Sequence, residues 1–341
     1  MRDMRVSVTD RCNFRCLYCL PETEEAADFY RTRPDSLRNP DPKRRIERVW
    51  KPRSELLSFE EIERIVRVAV STGVDKIRVT GGEPMLRHHL EDLIRLLAAV
   101  EGVKDLAMTT NGFLFASKAA ALKQAGLHRV SFSLDSLDAA NFKRMTGRNG
   151  LGEVLEAIQE AKRQGFPAIK VNAVVIRGMN DHEIEALAEF GLQHGLSMRY
   201  IEFMPLDSSR SWLREMVMPG SEILKRLQAR FDLAPVLSSN RSETARRWRL
   251  RSGEGEIGII APVTEPFCGH CNRIRLTADG KLRTCLFSLG EHDLRPLLRS
   301  TASASDLERY LRTAVLGKED RHHIGEPDFV QPERTMSCIG G

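Results

Sequence analysis

Residues 60–80 read EEIERIVRVAVSTGVDKIRVT and predict one amphipathic helix followed by one strand. Apolar residues recur at helical spacing from Glu60 to Ser71, and Gly73 follows where the helix should end, because glycine tolerates a positive φ at a helix C-terminus. From Lys76 to Thr80, charged or hydroxyl side chains alternate with isoleucine and valine, which is typical of a strand. This helix and strand form one unit of a longer pattern.

The same pattern recurs from Met4 to about Phe203. Strands are predicted at Arg5 to Val8, Lys76 to Thr80, Asp105 to Thr109, Arg129 to Leu134, Ile169 to Val175 and Met198 to Phe203. Helices are predicted at Glu60 to Ser71, His89 to Val100, Ala116 to Ala125, Leu151 to Gln164 and Glu183 to His194. This alternation predicts an α/β fold with a parallel sheet, a partial TIM-like (β/α)6 barrel whose ligand site lies at the C-terminal ends of the strands. A Rossmann sheet is the alternative, but no G-x-G-x-x-G follows the first strand.

The pattern changes after Met204, which predicts two domains. Residues 1–204 are expected to form the barrel core, and residues 205–341 a smaller C-terminal region. That region should contain helices at Ser221 to Arg230, Leu294 to Arg299 and Asp306 to Leu316, and strands at Trp248 to Leu250 and Glu256 to Ile260. Residues 21–55 are rich in proline and charge and predict an inserted surface loop that could serve as a lid.

The composition favours an intracellular protein with an anionic ligand. The 341 residues carry a net charge of +5 with acidic and basic groups interspersed. There is no apolar run of about 18 residues and no signal-peptide apolar region at the N-terminus. We therefore expect a cytoplasmic protein that binds neither a membrane nor nucleic acid. Six of the seven cysteines fall into two tight groups, and clustered cysteines in such a protein bind metal more often than they form disulfides.

The first cysteine group, Cys12, Cys16 and Cys19, directly follows the first predicted strand. Three thiolates on one loop can hold three corners of a [4Fe–4S] cube and leave one iron open to another ligand. A structural zinc site is the alternative, but it requires four ligands, and no fourth cysteine or histidine lies nearby in the loop. The loop therefore favours an iron–sulfur cluster.

This C-x-x-x-C-x-x-C loop, with Tyr18 before its last cysteine, resembles the signature of the radical S-adenosylmethionine (SAM) superfamily. The resemblance implies that the open iron chelates SAM, and that one-electron reduction splits SAM to a 5′-deoxyadenosyl radical. The second strand ends in Thr80-Gly81-Gly82-Glu83-Pro84, which is similar to the superfamily motif that contacts the SAM amino group. Alone, these glycines could simply form a tight turn between strand and helix.

The second cysteine group, Cys268, Cys271 and Cys285, also supplies three ligands. A zinc site completed by His270 or His292 is as compatible with this group as an iron–sulfur cluster. Residues Arg273-Ile274-Arg275 lie between the cysteines and predict a strand with both guanidinium groups on one face. Paired arginines suit a phosphate-bearing substrate, because the planar fork binds phosphate oxygens bidentately, although a solvated charged strand is the simpler alternative.

From Arg5 to the terminal Gly340-Gly341, the whole pattern resembles the GTP 3′,8-cyclase family of molybdenum cofactor biosynthesis. The resemblance implies SAM, two [4Fe–4S] clusters, and cyclisation of GTP by attack of a ribose C3′ radical on C8 of guanine. It implies SAM contacts at Tyr18, Gly82, Ser133 and Met204, with catalytic roles for Arg273, Arg275, Gly340 and Gly341. It implies GTP contacts at Arg5, Arg78, Thr109, Lys170, Arg273, Ile274 and Arg275, with Lys76 and Arg199 as weaker candidates. Implied partners are a flavodoxin-like or ferredoxin-like electron donor and the downstream cyclic pyranopterin monophosphate synthase, and the chain would be a monomer or homodimer.

Several strands carry polar residues at every second position, which supports a polar cavity independently of the resemblance. Such groups are Lys76, Arg78 and Thr80; Ser131, Ser133 and Asp135; and Lys170 and Asn172. A packed barrel interior would be aliphatic on this face, so cationic and hydroxyl groups there indicate a water-filled cavity that holds an anion.

Two other functions remain alternatives. One is a different radical SAM enzyme with an auxiliary cluster that acts on a peptide or nucleotide. The other is a zinc-stabilised nucleic-acid-binding protein built on the basic segments. The run Arg246-Arg247-Trp248-Arg249 mixes basic and aromatic residues as nucleic-acid binders do, but one short run is weak evidence. The pairs His88-His89 and His322-His323 are expected at the surface.

Overall fold

The computed structural model describes residues 1–21, 50–208, 210–238, 240–251 and 255–340, so most of the predicted surface loop at 21–55 lies outside the described residues. The strands are β1 (Asp3–Ser7), β2 (Lys76–Thr80), β3 (Asp105–Thr110), β4 (Arg129–Ser133), β5 (Lys170–Val175), β6 (Ser197–Glu202), β7 (Leu233–Val236), β8 (Arg246–Leu250), β9 (Glu256–Ile260), β10 (Arg273–Leu276), β11 (Lys281–Arg283) and β12 (His292–Asp293). The α-helices are α1 (Phe59–Ser71), α2 (Leu90–Ala98), α3 (Ala119–Gln124), α4 (Ala139–Thr146), α5 (Leu151–Arg163), α6 (Ile184–Gln193), α7 (Gly220–Arg230), α8 (Arg295–Leu298), α9 (Ala304–Leu316) and α10 (Met336–Ile339).

All of these strands belong to one sheet with the order β12-β11-β10-β1-β2-β3-β4-β5-β6-β9-β8-β7. The eight strands from β10 to β9 in this order are parallel. At either edge two further strands pair antiparallel, β11 and β12 beyond β10, and β8 and β7 beyond β9. The parallel α/β fold is confirmed, and the C-terminal region adds one parallel strand to each side of the six predicted ones.

Helix α1 illustrates how local sequence produces the predicted unit. The Ser58 hydroxyl accepts a hydrogen bond from the Glu61 backbone N–H, and the Glu61 carboxylate accepts one from the Ser58 backbone N–H, so a capping box begins the helix. The apolar face, which includes Ile62 and Ile65, is buried against the sheet. After the helix, Gly73 adopts a φ of 107° and turns the chain towards β2.

The bounds of the six predicted strands differ from the observed ones by two residues or fewer at each end. The predicted helix at Ala116 to Ala125 begins instead as a 3-10 turn at Ala116–Lys118 and continues as α3. Sequence reasoning missed α4, although Asp138 caps its N-terminus and Gly147 ends it in the left-handed conformation. It also missed β7, β11, β12 and α10. Within the described residues, no helix is long and apolar enough to span a bilayer.

Candidate active site

A cavity of about 580 Å³ lies on the face of the sheet opposite the helices. Strands β1 to β6 and β10 contribute polar side chains to its wall, as the period-two pattern predicts. Those side chains include Lys76, Arg78, Thr80, Ser131, Ser133, Lys170 and Asn172. All six cysteines of the two groups line the same cavity, so we describe them as the first triad (Cys12, Cys16, Cys19) and the second triad (Cys268, Cys271, Cys285).

The first triad lies on the loop after β1 and is held there by the glycine turn after β2. The Gly82 backbone N–H donates to the Thr9 carbonyl at 2.7 Å, and the Glu83 N–H donates to the Arg11 carbonyl at 2.7 Å. A Cβ atom on Gly82 would lie 2.2 Å from the Arg11 carbonyl oxygen. Gly82 is therefore required for close approach of the two backbones, in addition to its predicted place beside SAM.

Glu83 joins the ends of β2 and β3 beneath this loop. Its buried carboxylate accepts hydrogen bonds from the Thr110 hydroxyl and from the Asn111 and Met85 backbone N–H groups. Burial raises the pKa of Glu83 to about 7. The Asn111 side chain in turn donates to Asn13 on the cysteine loop at 2.8 Å. Sequence reasoning missed Asn111; its position directly after a predicted strand was the available signal.

Tyr18 is fixed by the carboxylate that follows β4. Its hydroxyl donates to Asp135 at 2.7 Å, while the other Asp135 oxygen accepts the Val174 backbone N–H at 2.8 Å. Burial raises the pKa of Asp135 to about 6. Two other predicted SAM contacts line the same cavity, Ser133 as the last residue of β4 and Met204 two residues after the end of β6.

The second triad lies at the opposite end of the strands from the first. Cys268 and Cys271 precede β10, and Cys285 follows the antiparallel strand β11, so all three lie at the amino end of β10. Because β10 runs parallel to β1, the first triad lies beyond the other end of this strand pair. Strands of five residues place their ends on the order of 15 Å apart. The cavity thus extends between the two triads.

Each triad presents three free cysteines to the cavity. A structural zinc site requires four ligands, and neither His270 nor His292, the proposed fourth ligands, is among the described residues that line the cavity. Three cysteines that face a cavity suit an iron–sulfur cube with one open iron.

Three arginines lie side by side across neighbouring parallel strands between the triads. Arg275 of β10 is in register with Arg5 of β1, and Arg5 is in register with Arg78 of β2. Adjacent strands are about 4.8 Å apart, so these like charges repel one another. Burial, together with the neighbouring charges of Arg275 and Arg273, holds the pKa of Arg5 well below its ordinary value. We call Arg275, Arg5 and Arg78 the arginine row.

Few carboxylates compensate this charge. The buried Arg5 Nε has no hydrogen-bond partner among the described residues. Within the described ranges, the Arg78 side chain donates only to hydroxyl groups, those of Thr109 at 3.2 Å and Ser131 at 3.1 Å. In the same described ranges, Lys76 and Lys170 form no ion pair. Cationic groups with so few partners among the described residues favour the binding of an anion.

Arg199 differs from the other predicted cations because it is already neutralised. Its guanidinium pairs with Glu256 at 2.8 Å and lies 3.9 Å from Glu243. The side chain lies across Gly258, where a Cβ atom would be 2.5 Å from the Arg199 Cδ. Arg199 therefore contributes less free charge to the cavity than Lys170 does.

The remaining predicted residues lie on strand β10 and on the C-terminal tail, by which we mean residues 334–341. Ile274 is 3% exposed and packs in the hydrophobic core, because period two turns it away from the cavity that Arg273 and Arg275 line. Gly340 has a φ of 71°, and its carbonyl accepts a hydrogen bond from Arg275. Gly341 lies outside the described residues.

One expectation, about the histidine pair at 322–323, requires correction, and the basic, aromatic run at 246–249 does not support the nucleic-acid-binding alternative. His322 is half-buried in the cavity wall with its ring 5.2 Å from that of Phe287, so it is not a surface residue, because the chain after α9 returns to the second triad. Trp248 is 7% exposed and packs in the core on β8, and Arg247 pairs with Glu243 and Glu256. The run at 246–249 therefore offers no aromatic surface for base stacking.

Comparison with known proteins agrees with this site. The radical SAM superfamily model matches residues 6–191, and the model "Molybdenum Cofactor Synthesis C" matches residues 196–324. The GTP 3′,8-cyclase of Rhodopirellula baltica is 44% identical over 99% of this chain and 89% of its own. That of Streptomyces coelicolor is 42% identical over 99% of this chain and 93% of its own. Streptococcus suis SuiB bound to S-adenosylmethionine shares the fold with a TM-score of 0.57 at 14% identity, over 88% of this chain and 64% of that one.

The fold, the first triad and the glycine turn define a radical SAM enzyme, and this class implies SAM and a [4Fe–4S] cluster. Within that superfamily, the chain belongs to the family of the GTP 3′,8-cyclases.

Proposed function

We propose that the chain converts GTP to (8S)-3′,8-cyclo-7,8-dihydroguanosine 5′-triphosphate, the first step of molybdenum cofactor biosynthesis. The observation that carries the proposal is the arginine row, which lies between two cysteine triads in one cavity. A triphosphate supplies several negative charges to a row of cations that has few carboxylate partners. Guanidinium and ammonium groups bind phosphate oxygens through charge-assisted hydrogen bonds.

Each part of the cavity has a proposed role. The first triad would hold the cluster that binds SAM, with Tyr18, Gly82, Ser133 and Met204 around the SAM molecule. The second triad would hold a second [4Fe–4S] cluster whose open iron takes the guanine base. When bound, the first cluster and SAM supply the 5′-deoxyadenosyl radical that removes the ribose 3′ hydrogen. Arg5, Arg78, Thr109, Lys170 and Arg273 would fix the triphosphate and ribose so that C3′ lies next to C8 of guanine.

Arg275 and the tail have a different proposed role from the phosphate ligands. Arg275 donates to the Gly340 and Ile339 carbonyls, so part of its hydrogen-bonding capacity is used on the tail. We propose that Arg275, Gly340 and Gly341 act together near the reacting ribose, while Arg273 faces the phosphates. Lys76 completes the cationic wall, and Arg199 has a lesser part because Glu256 neutralises it.

The function is tested by an anaerobic assay with dithionite, SAM and GTP. We expect GTP consumption with formation of 5′-deoxyadenosine, and about eight irons per reconstituted chain, which is the content of two [4Fe–4S] clusters. SAM cleavage that GTP does not affect would contradict the substrate, and a peptide substrate that stimulates it would favour the other radical SAM enzyme. A chain that contains zinc and no iron would contradict the proposal that it is a radical SAM enzyme.

GTP binding should weaken as the pH rises through 8 because of Lys170. Burial, together with the charges of Arg199, Arg129 and Arg78, lowers the pKa of Lys170 to about 8. The neutral amine that forms above this pH no longer attracts a phosphate. We expect the Kd of GTP for wild type to rise several-fold between pH 7 and pH 8.8, measured by equilibrium binding to the reconstituted enzyme.

The matched control is Lys170→Arg, which stays charged throughout this range. Its Kd should change with pH only as far as the ionisation of GTP itself requires. Equal pH dependence in the two proteins would show that Lys170 does not contact the triphosphate.

The expected partners follow from this reaction. The first cluster needs a low-potential electron donor of the flavodoxin or ferredoxin kind, and the cyclised product is the substrate of a cyclic pyranopterin monophosphate synthase. We propose a monomer or homodimer.

We also propose that the two predicted domains contribute different halves of the cavity. Residues 1–204 would contribute the half that binds SAM, and residues 205–341 the half that binds guanine.

A further inference from the structure

The tail is attached at two points to a single hairpin, formed by β10, β11 and the turn between them. At its end, Arg275 of β10 donates to the Gly340 carbonyl. At its start, the two Nη atoms of Arg334 donate to the two carboxylate oxygens of Asp279 at 2.9 and 2.8 Å. The single helical turn α10 lies between these two attachments.

Asp279 is built into the hairpin turn as a fixed acceptor. The Thr277 hydroxyl donates to its Oδ1 at 2.6 Å, and the Gly280 N–H closes the turn on the Thr277 carbonyl at 3.0 Å. The carboxylate side chain is 4% exposed. Burial opposes its ionisation, but Arg334 outweighs this and holds the pKa of Asp279 below its ordinary value. A buried charge of this kind depends on its partner.

Glu291 extends the attachment towards the second triad. Its Oε1 forms an ion pair with Arg334 Nε at 2.7 Å and accepts a hydrogen bond from Arg283 Nη1 at 2.6 Å. Arg283 is 2% exposed and also donates to the Ser288 carbonyl. The Ser288 hydroxyl in turn accepts the Cys285 backbone N–H at 3.1 Å. One ion pair and a series of hydrogen bonds therefore link the start of the tail to the loop that carries Cys285.

The anchors act together with the other contacts of the tail, in which the Met336 backbone N–H donates to the Leu206 carbonyl at 3.3 Å and Ile339 packs in one apolar cluster with Leu206. A helix of four residues has no stability of its own. Thr335, Ser337 and Ile339 are buried, and Met336 and Ser337 line the cavity, so a displaced tail would change the cavity wall. The contact that Arg275 makes lies at the far end of the segment and fixes only that end.

We propose that Arg334 and Asp279 are positioning residues that seat the C-terminal tail in the active site. They touch no reacting atom, and they act by holding residues 335–340 against the cavity. The effect on catalysis rests on the proposed function, whereas the seating of the tail does not.

The experiment compares Arg334→Met, Arg334→Lys, Asp279→Asn and the double variant R334M/D279N with wild type, all as reconstituted enzymes. Hydrogen exchange measured by mass spectrometry reports the backbone amides of residues 335–340. We expect exchange at least about 10-fold faster in Arg334→Met and Asp279→Asn, since loss of an anchor raises the population of the open tail. The double variant should be little worse than either single one, because the two residues form one unit.

GTP turnover supplies the second readout. We expect kcat for cyclisation to fall about 10-fold or more in Arg334→Met with a smaller change in KM, because the tail acts after GTP has bound. Arg334→Lys should recover part of the loss, since it keeps the charge but not the bidentate fork. Iron content, SAM binding and the thermal midpoint should show whether each variant has folded.

Arg226→Met is the matched control. Arg226 makes a similar bidentate pair, with Glu185 at 2.8 and 2.6 Å, between α7 and α6 away from the cavity. It should change neither tail exchange nor kcat. Unchanged exchange at 335–340 in folded Arg334→Met would overturn the proposal, as would faster exchange with wild-type kcat. A wild-type enzyme that does not cyclise GTP would instead refute the proposed function, and the exchange measurement would still test the seating.

Discussion

Each of the substitutions Cys268→Ser, Cys271→Ser and Cys285→Ser is expected to abolish GTP cyclisation while leaving some SAM cleavage. Each substitution removes one of three thiolates that face the cavity, so the second cluster should be lost or unstable, and iron should fall from about eight to about four per chain. The first triad lies at the other end of the strands and keeps its own ligands. Iron analysis, GTP consumption and 5′-deoxyadenosine formation measure the three quantities in one preparation.

Cys338→Ala is the matched control for the iron content. Cys338 belongs to neither triad, and its sulfur makes weak contacts with the Thr335 hydroxyl at 3.7 Å and the Ser337 hydroxyl at 3.9 Å. This variant should keep about eight irons. If a second-triad variant loses four irons and still cyclises GTP, the second cluster does not hold the substrate.

Arg5→Met is expected to weaken GTP binding by about 10- to 100-fold, the loss that follows when a charged hydrogen bond of about 1.5–3 kcal/mol is removed. Arg5 occupies the middle of the arginine row, so both neighbouring arginines would remain. Because Arg5 is a desolvated cation between like charges, its removal should not lower the thermal midpoint of the protein without GTP. Equilibrium binding and thermal unfolding test the two statements separately.

The dependence of Kd on salt concentration provides a further check on Arg5. Loss of one phosphate contact should make the dependence shallower, and Arg5→Lys should restore most of it by keeping the charge. If Arg5→Met binds GTP with the same Kd as wild type, the triphosphate does not contact Arg5 and must lie elsewhere in the cavity. A large fall in the thermal midpoint would mean that Arg5 has a structural role.

Local patterns predicted the first six strands because each feature acts over a few residues. The period-two alternation at Lys76 to Thr80 determines which side chains face the cavity, and a glycine such as Gly73 marks the end of a helix. The spacing of the cysteines also identified both triads as metal-binding groups, although for the second triad it did not distinguish zinc from an iron–sulfur cluster. The same alternation explains why Ile274 lies in the core.

Long-range pairing was not predictable from the sequence in this way. Nothing in the residues of β10 indicates that it lies beside β1, more than 260 positions earlier, because parallel pairing leaves no local turn signal. The place of His322 in the cavity wall depends on the path of the whole C-terminal region. The pairing of Arg334 with Asp279 likewise joins two segments whose proximity only the fold determines.

The two edges of the sheet formed by the first six strands have a consequence for folding during protein synthesis. Strands β1 and β6 would be the outer strands of the first six, and β10 and β9, both made later, cover them. A nascent chain that ends near residue 203 therefore exposes two open sheet edges, which are sites of aggregation. The first 203 residues cannot complete the hydrogen bonding of these two edges until β9 and β10 have also left the ribosome.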